Sequence, residues 1–268
     1  MAAVLAGWGG YYRQPVYLNE ARRLGLVLRG PHINHAQRQF TVVYPNGKPT
    51  LYMGLDQVNG LTRRSKKRIL NGRPFRSLED FLTRVDPRPQ EAEILIRVGA
   101  LGGLGTIPGL LERIKARVWR YGQPPLLDFE EAATQESWDL PARMAAQKAI
   151  LGTSVDAHPL ELVSEKIGRL DAVTTLEALD KLDEQVQVVG VRQTAQRFHA
   201  PGGEAYYLLE LLDLDGVLPV MMTSNFYQHH RKMLSTDQLV VVEGQMIRAK
   251  ASGDVVLHAQ RLWPLAAK

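Results

Sequence analysis

Residues 54–70 read GLDQVNGLTRRSKKRIL, and this stretch decides the fold. Gly60 interrupts what otherwise patterns as one helix, with Val58 and Leu61 set for burial. Glycine tolerates the tight turn that such a break demands. Five of the six residues from Arg63 to Arg68 are basic. A helix, a glycine turn and a cationic helix start together predict a helix-hairpin-helix element. The first amides of a helix have no intrahelical acceptor and donate readily to a phosphate. Lys66 and Lys67 add charge within reach, and a grip of this kind on a nucleic-acid backbone reads no sequence. The candidate contacts are Gly60, Thr62, Arg63, Arg64, Lys66 and Lys67. Thr62 stands where such hairpins usually carry a second glycine. A packing unit with solvated cations would use the same residues.

Charge supports the phosphate reading. Arg63, Arg64, Lys66, Lys67, Arg68, Arg73 and Arg76 form a stretch with no acidic residue among them. The formal net charge of the 268-residue chain is +5, and without these seven it would be −2. Basicity so concentrated points to a polyanionic partner. The chain has no cysteine, which excludes disulfides, thiolate metal sites and cysteine nucleophiles, and fits a reducing cytoplasm. The start, MAAVLAGWGGYY, lacks a basic leader and is too short to span a bilayer, so no membrane partner is expected. It reads as the middle of a packed helix, and the chain is expected to be a fragment.

Outward from the hairpin, four regions separate. Residues 1–48 hold a helix in PVYLNEARRLG and the first part of a hairpin around Asn46-Gly47, the strongest short turn pair. Residues 49–120 are short helices. Ser77 suits the N-terminus of SLEDFLTRV, and Thr106 caps the second half of a glycine-broken pair, LIRVGALGGLGTIPGLLERI. That pair is either a structural partner of the first hairpin or a second backbone contact. Residues 121–183 are a polar, proline-broken linker and further helices. Residues 184–268 switch to strand periodicity, with five strand candidates and one helix, NFYQHHRKML, between the third and fourth. That is the element order of an OB-fold. The expected fold is therefore α+β and multidomain: a mostly helical helix-hairpin-helix region, then a five-stranded β-barrel.

Arg192, Arg197, Phe198, Tyr206, Arg248 and Lys250 lie on or near these strands, and cations with aromatics on such a sheet bind single strands by stacking. Alternation along any strand explains Tyr206 and Tyr207 equally well, and the outward one is not determined. DLDG at 213–216 reads as turn chemistry in preference to a Mg²⁺ site. His229 and His230 are neighbours on a helix and point apart. No P-loop and no Ser/His/Asp set is evident, and no catalytic residue is expected. In the linker, Gln123, Leu126, Leu127 and Phe129 are candidate anchors for a partner's groove, unless they dock on their own domain.

Taken together, YLNEARRLGLVLRGPHIN, GLDQVNGL, RPFRSLEDFLTRV, LIRVGALGGLG and LGTSVDAHPLEL, with an OB-fold after them, resemble the C-terminal half of the bacterial C-family DNA polymerases, the DNA polymerase III alpha subunit. The resemblance runs over nearly the whole chain. It implies that residues 1–48 end a fingers domain and that 49–120 are a tandem helix-hairpin-helix module on duplex DNA. It implies that Gln123, Leu126, Leu127 and Phe129 form a degenerate sliding-clamp motif, and that 184–268 lie near single-stranded template. Double- and single-stranded DNA, a sliding clamp and other replisome subunits are the implied partners. The family's catalytic aspartates and their Mg²⁺ belong to a palm domain that would precede these residues, so no cofactor is expected in this chain. The alternative is an independent, non-enzymatic nucleic-acid-binding protein built from the same modules.

Overall fold

The computed structural model describes residues 2–6, 12–115, 136–199, 203, 205–236, 239–249 and 253–265. The chain divides into two compact units, Met1–Gln14 with Leu24–Ala157, and Pro15–Arg23 with His158–Lys268.

The first unit starts with α1 (Ala2–Ala6) and receives the first residue of α2 (Gln14–Arg23). Strands β1 (Val27–Arg29), β2 (Thr41–Val43) and β3 (Thr50–Tyr52) form a sheet in the order β1-β3-β2. β2 and β3 run antiparallel around Asn46 and Gly47, whose φ angles of 53° and 76° are those of the expected Asn-Gly turn. β1 joins β3 in parallel, a pairing absent from the sequence reading. The segment before Gly60 departs from expectation as well. Only a one-turn 3-10 helix, Leu55–Gln57, forms there. β3 runs to Tyr52, and the Gly54 backbone lies so close to Arg38 and Gln39 that a Cβ there would sit 2.5 Å from the Arg38 carbonyl oxygen. Too few residues remain for a longer helix.

Helices α3 (Arg63–Gly72), α4 (Leu78–Val85), α5 (Pro89–Arg97), α6 (Ile107–Lys115) and α7 (Leu140–Leu151) complete this unit. Ile69, Leu78, Phe81, Leu95, Ile96 and Leu101 are fully buried between them. Ser77 caps α4, accepting from Asp80 N at 3.1 Å. Thr106 holds the start of α6, its hydroxyl accepting from Gly109 N at 3.3 Å. Both caps match the expected helix starts.

The second unit contains a one-turn helix at Pro159–Val163, α8 (Ser164–Ile167), α9 (Thr175–Leu179) and a closed barrel. Its strands are β4 (Gln185–His199), β5 (Ala205–Leu212), β6 (Val217–Thr223), β7 (Leu239–Arg248) and β8 (Val255–Pro264), with α10 (Ser224–Leu234) between β6 and β7. Neighbours run β4-β5-β6-β8-β7, and β7 pairs back with β4. The order and the helix position are those of the expected OB-fold. Val188, Leu209, Leu211, Val220, Val242 and Leu257 fill the interior. The barrel bends at a bulge between Glu243 and Gly244, where a Cβ on Gly244 would lie 2.0 Å from the His258 carbonyl oxygen.

The rest of α2 packs with this unit. Leu18 and Ala21 are buried, and Asn19 Nδ2 donates to the carbonyls of Asp213 and Leu214 at 2.9 and 3.0 Å.

Candidate nucleic-acid interface

The first hairpin is built on Gly60, whose φ of 86° only glycine adopts without strain. Ile94 of α5 presses against it, and an added Cβ would lie 2.8 Å from Ile94 Cδ1. Thr62 then caps α3, its hydroxyl accepting from Ser65 N at 3.2 Å. A polar residue at the second-glycine position therefore serves the helix start. The Thr62 amide is already bound, donating to Glu91 Oε1 at 2.7 Å. The amides of Arg63 and Arg64, first in the helix, have no acceptor among the described residues.

The basic run does not act as one block. Lys66 turns inward to Asp56 Oδ1 at 2.9 Å, and Arg38 holds the other oxygen of the same carboxylate at 2.9 Å. Burial pushes the Asp56 carboxyl up, but the hydrogen bonds from Lys66 and Arg38 outweigh it and hold it below the usual carboxylate range. Arg64 and Arg68 both pair with Asp86, and Arg68 also reaches the Val85 carbonyl at 3.1 Å. Arg73 is tied to the Ala36 carbonyl and to Gln37. Among the described residues, the exposed side chains of Arg63, Lys67 and Arg76 make no hydrogen bond or ion pair. Arg63 and Lys67 are four apart on α3, so they share one face. The acidic partners lie just outside the basic run, at 56 and 86, so the composition of the run itself does not show them.

The second hairpin turns through Gly99, Gly103 and Gly105, with φ of 78°, 84° and 149°. The GPHIN segment anchors it. Ile33 N donates to the Ala100 carbonyl at 2.9 Å. His32 Nδ1 accepts from Asn34 N, which leaves Nε2 as the donor to the Gly102 carbonyl at 3.1 Å. Asn34 in turn clasps the backbone of Phe75 through both its amide atoms, at 2.9 and 2.8 Å. Arg113 of this hairpin pairs with Glu79.

On the barrel, the register determines which tyrosine faces out. Tyr207 packs on the core and stacks on Tyr227 of α10 with ring centres 3.8 Å apart. Tyr206, its neighbour, lies on the outer face beside Phe198, ring centres 5.7 Å apart and nearly parallel. Leu208 continues the outer face and pairs with Met221 of β6. Arg197 is opposite Tyr207 and Arg192 opposite Leu211, so both occupy the other face of the sheet from Tyr206. Arg192 Nε is enclosed with no partner among the described residues. Arg248 donates to the Gly253 carbonyl at 2.9 Å. Lys250, Gln123, Leu126, Leu127 and Phe129 lie outside the described residues.

The DLDG segment is turn chemistry. Asp213 is buried and accepts from Thr175 N and Oγ1, both at 2.6 Å, and from Asp215 N and Gly216 N. No cluster able to hold a metal ion occurs among the described residues. No helix among them is long and apolar enough to cross a membrane.

A family model described as a helix-hairpin-helix motif matches residues 25–107. The error-prone DNA polymerase of Corynebacterium efficiens is 28% identical over 96% of this chain and 24% of that protein. That of Cutibacterium acnes is 30% identical over 78% of this chain and 19% of that protein. The DNA polymerase III subunit alpha of Campylobacter jejuni is 25% identical over 74% of this chain and 19% of that protein. The chain thus spans about a quarter or less of the length of these relatives. Among solved structures, asparaginyl-tRNA synthetase from Pyrococcus horikoshii is 20% identical over 35% of this chain and 23% of that one, with a TM-score of 0.30, too slight a likeness to weigh.

Proposed function

We propose that this chain, a relative of the bacterial C-family DNA polymerases over nearly its whole length, is a DNA-holding portion of such an enzyme. The observation that carries the reading is the first hairpin. Two helix amides, at Arg63 and Arg64, and two cations, Arg63 and Lys67, none with a partner among the described residues, lie together on the exposed start of α3. That is a phosphate grip without base readout. On this reading residues 49–120 hold duplex backbone behind the site of synthesis. The outer strip of Phe198 on β4 with Tyr206 and Leu208 on β5 stacks single-stranded template, beside the β5–β6 face by which OB-folds usually bind.

The finer parts of the role follow the same reading. Residues 1–48 end a fingers domain, and 121–183 link the module to the barrel. Gln123, Leu126, Leu127 and Phe129 dock a sliding clamp, which brings in the other replisome subunits, in the cytoplasm. The polymerase reaction and its Mg²⁺ are supplied by another domain. The direct test is binding of the chain to two duplexes of unrelated sequence. Equal affinity for both is the expected result. Binding to neither, or strong preference for one, contradicts the role. Clamp capture lost on Leu127→Ala with Phe129→Ala tests the linker motif, and no capture by the unaltered chain overturns it.

A further inference from the structure

Glu91 is the most deeply enclosed carboxylate at the two hairpins. It is 3% exposed, on the first turn of α5, and reaches across to the start of α3. Oε1 accepts from Thr62 N at 2.7 Å. Oε2 accepts from Ser65 Oγ at 2.8 Å and from Arg88 N at 2.9 Å. Every donor is a backbone amide or a hydroxyl, and no cation pairs with it among the described residues. This is the set of contacts a phosphate oxygen receives at a helix start. Burial pushes the Glu91 carboxyl up, but the hydrogen bonds from Thr62, Arg88 and Ser65 outweigh it and keep it below its ordinary range. It is therefore an anion at neutral pH.

We infer that Glu91 is a built-in anion that fills the turn amide of the first hairpin, so that a DNA phosphate meets this hairpin one step along, on the start of α3 with Arg63 and Lys67. The inference rests on the duplex-holding role proposed above and concerns only which donors carry it. It explains why the turn needs no second glycine. With Glu91 on its amide, the Thr62 position has no phosphate to approach, and a β-branched capping residue fits. It also makes Glu91 a positioning residue, which sets the register of the backbone on the module and repels any phosphate that approaches the turn too closely.

The test is an NMR titration of the unaltered chain with duplex DNA at neutral pH, followed by Glu91→Gln. The expected result is that resonances of Arg63 and Lys67 shift while the Thr62 amide stays in place. Glu91→Gln keeps the size and removes the charge, and it should tighten duplex binding by about fivefold, the low end of the coupling between two sites. A Thr62 amide that moves most on adding DNA overturns the inference while leaving DNA binding intact. So does an equally folded Glu91→Gln protein that binds no more tightly. Absence of any shift in either hairpin overturns the DNA-holding role itself, and the inference with it.

Discussion

Two single residues show how local chemistry fixes this chain. Gly60 has a positive φ and a side chain of α5 against it, so Gly60→Ala brings both backbone strain and a clash with Ile94. A loss of about 1–3 kcal/mol is expected, measurable by chemical denaturation. His158 is buried, with Nδ1 accepting from Leu160 N at 3.3 Å. Burial, with the Arg22 charge adding to it, lowers its pKa from 6.5 to about 4. Between those values the unfolded chain binds a proton that the folded chain does not. Stability from this group is thus fully present above about 6.5 and falls as pH drops towards 4, by about 3 kcal/mol in all. Denaturation curves from pH 7 to pH 4.5 measure the slope. His158→Asn, whose Oδ1 can accept the same bond, should flatten it, and an unchanged slope assigns the effect to another group.

At the scale of elements, α3 sorts its charges by face. Lys66, Arg64 and Arg68 hold Asp56 and Asp86, while Arg63 and Lys67 look outward. Lys66→Ala with Arg68→Ala should destabilise the fold by no more than about 1 kcal/mol per pair, read as a small drop in melting temperature, and leave the DNA salt dependence near that of the unaltered chain. This division was not legible in the sequence, because the acids that neutralise the run are distant in number and close only once α4 and the 3-10 turn are in place. The glycine turn, the caps at Ser77 and Thr106, and the barrel order were legible, because each rests on local chemistry or strand period. The face of Tyr206 was not, since alternation gives two answers until the register with Phe198 is known. On the barrel, Phe198→Ala with Tyr206→Ala should weaken single-strand binding by about 1–3 kcal/mol per stacked base, as read by fluorescence titration. A loss confined to duplex binding would remove the outer strip from the interface.

At the scale of the molecule, chain order and compact units do not coincide. Pro15–Arg23 interrupts the helical unit in sequence yet packs with the barrel unit, through Asn19 on the Asp213 turn. A fragment that starts at residue 158 therefore lacks a buried piece of its own unit. That turn is itself held by four donors to one buried carboxylate. The DNA-holding role proposed for the chain rests on the first hairpin, which lies in the helical unit.

The salt dependence of duplex binding, for the unaltered chain and for Arg63→Ala with Lys67→Ala, tests that role most directly. Each phosphate contact releases counterion, so the logarithm of the affinity should fall linearly with the logarithm of salt concentration. Removing the two open cations should reduce the slope by about 1.8. A slope near zero in the unaltered chain, or one that the double substitution leaves unchanged, would contradict a grip by the first hairpin on the DNA backbone.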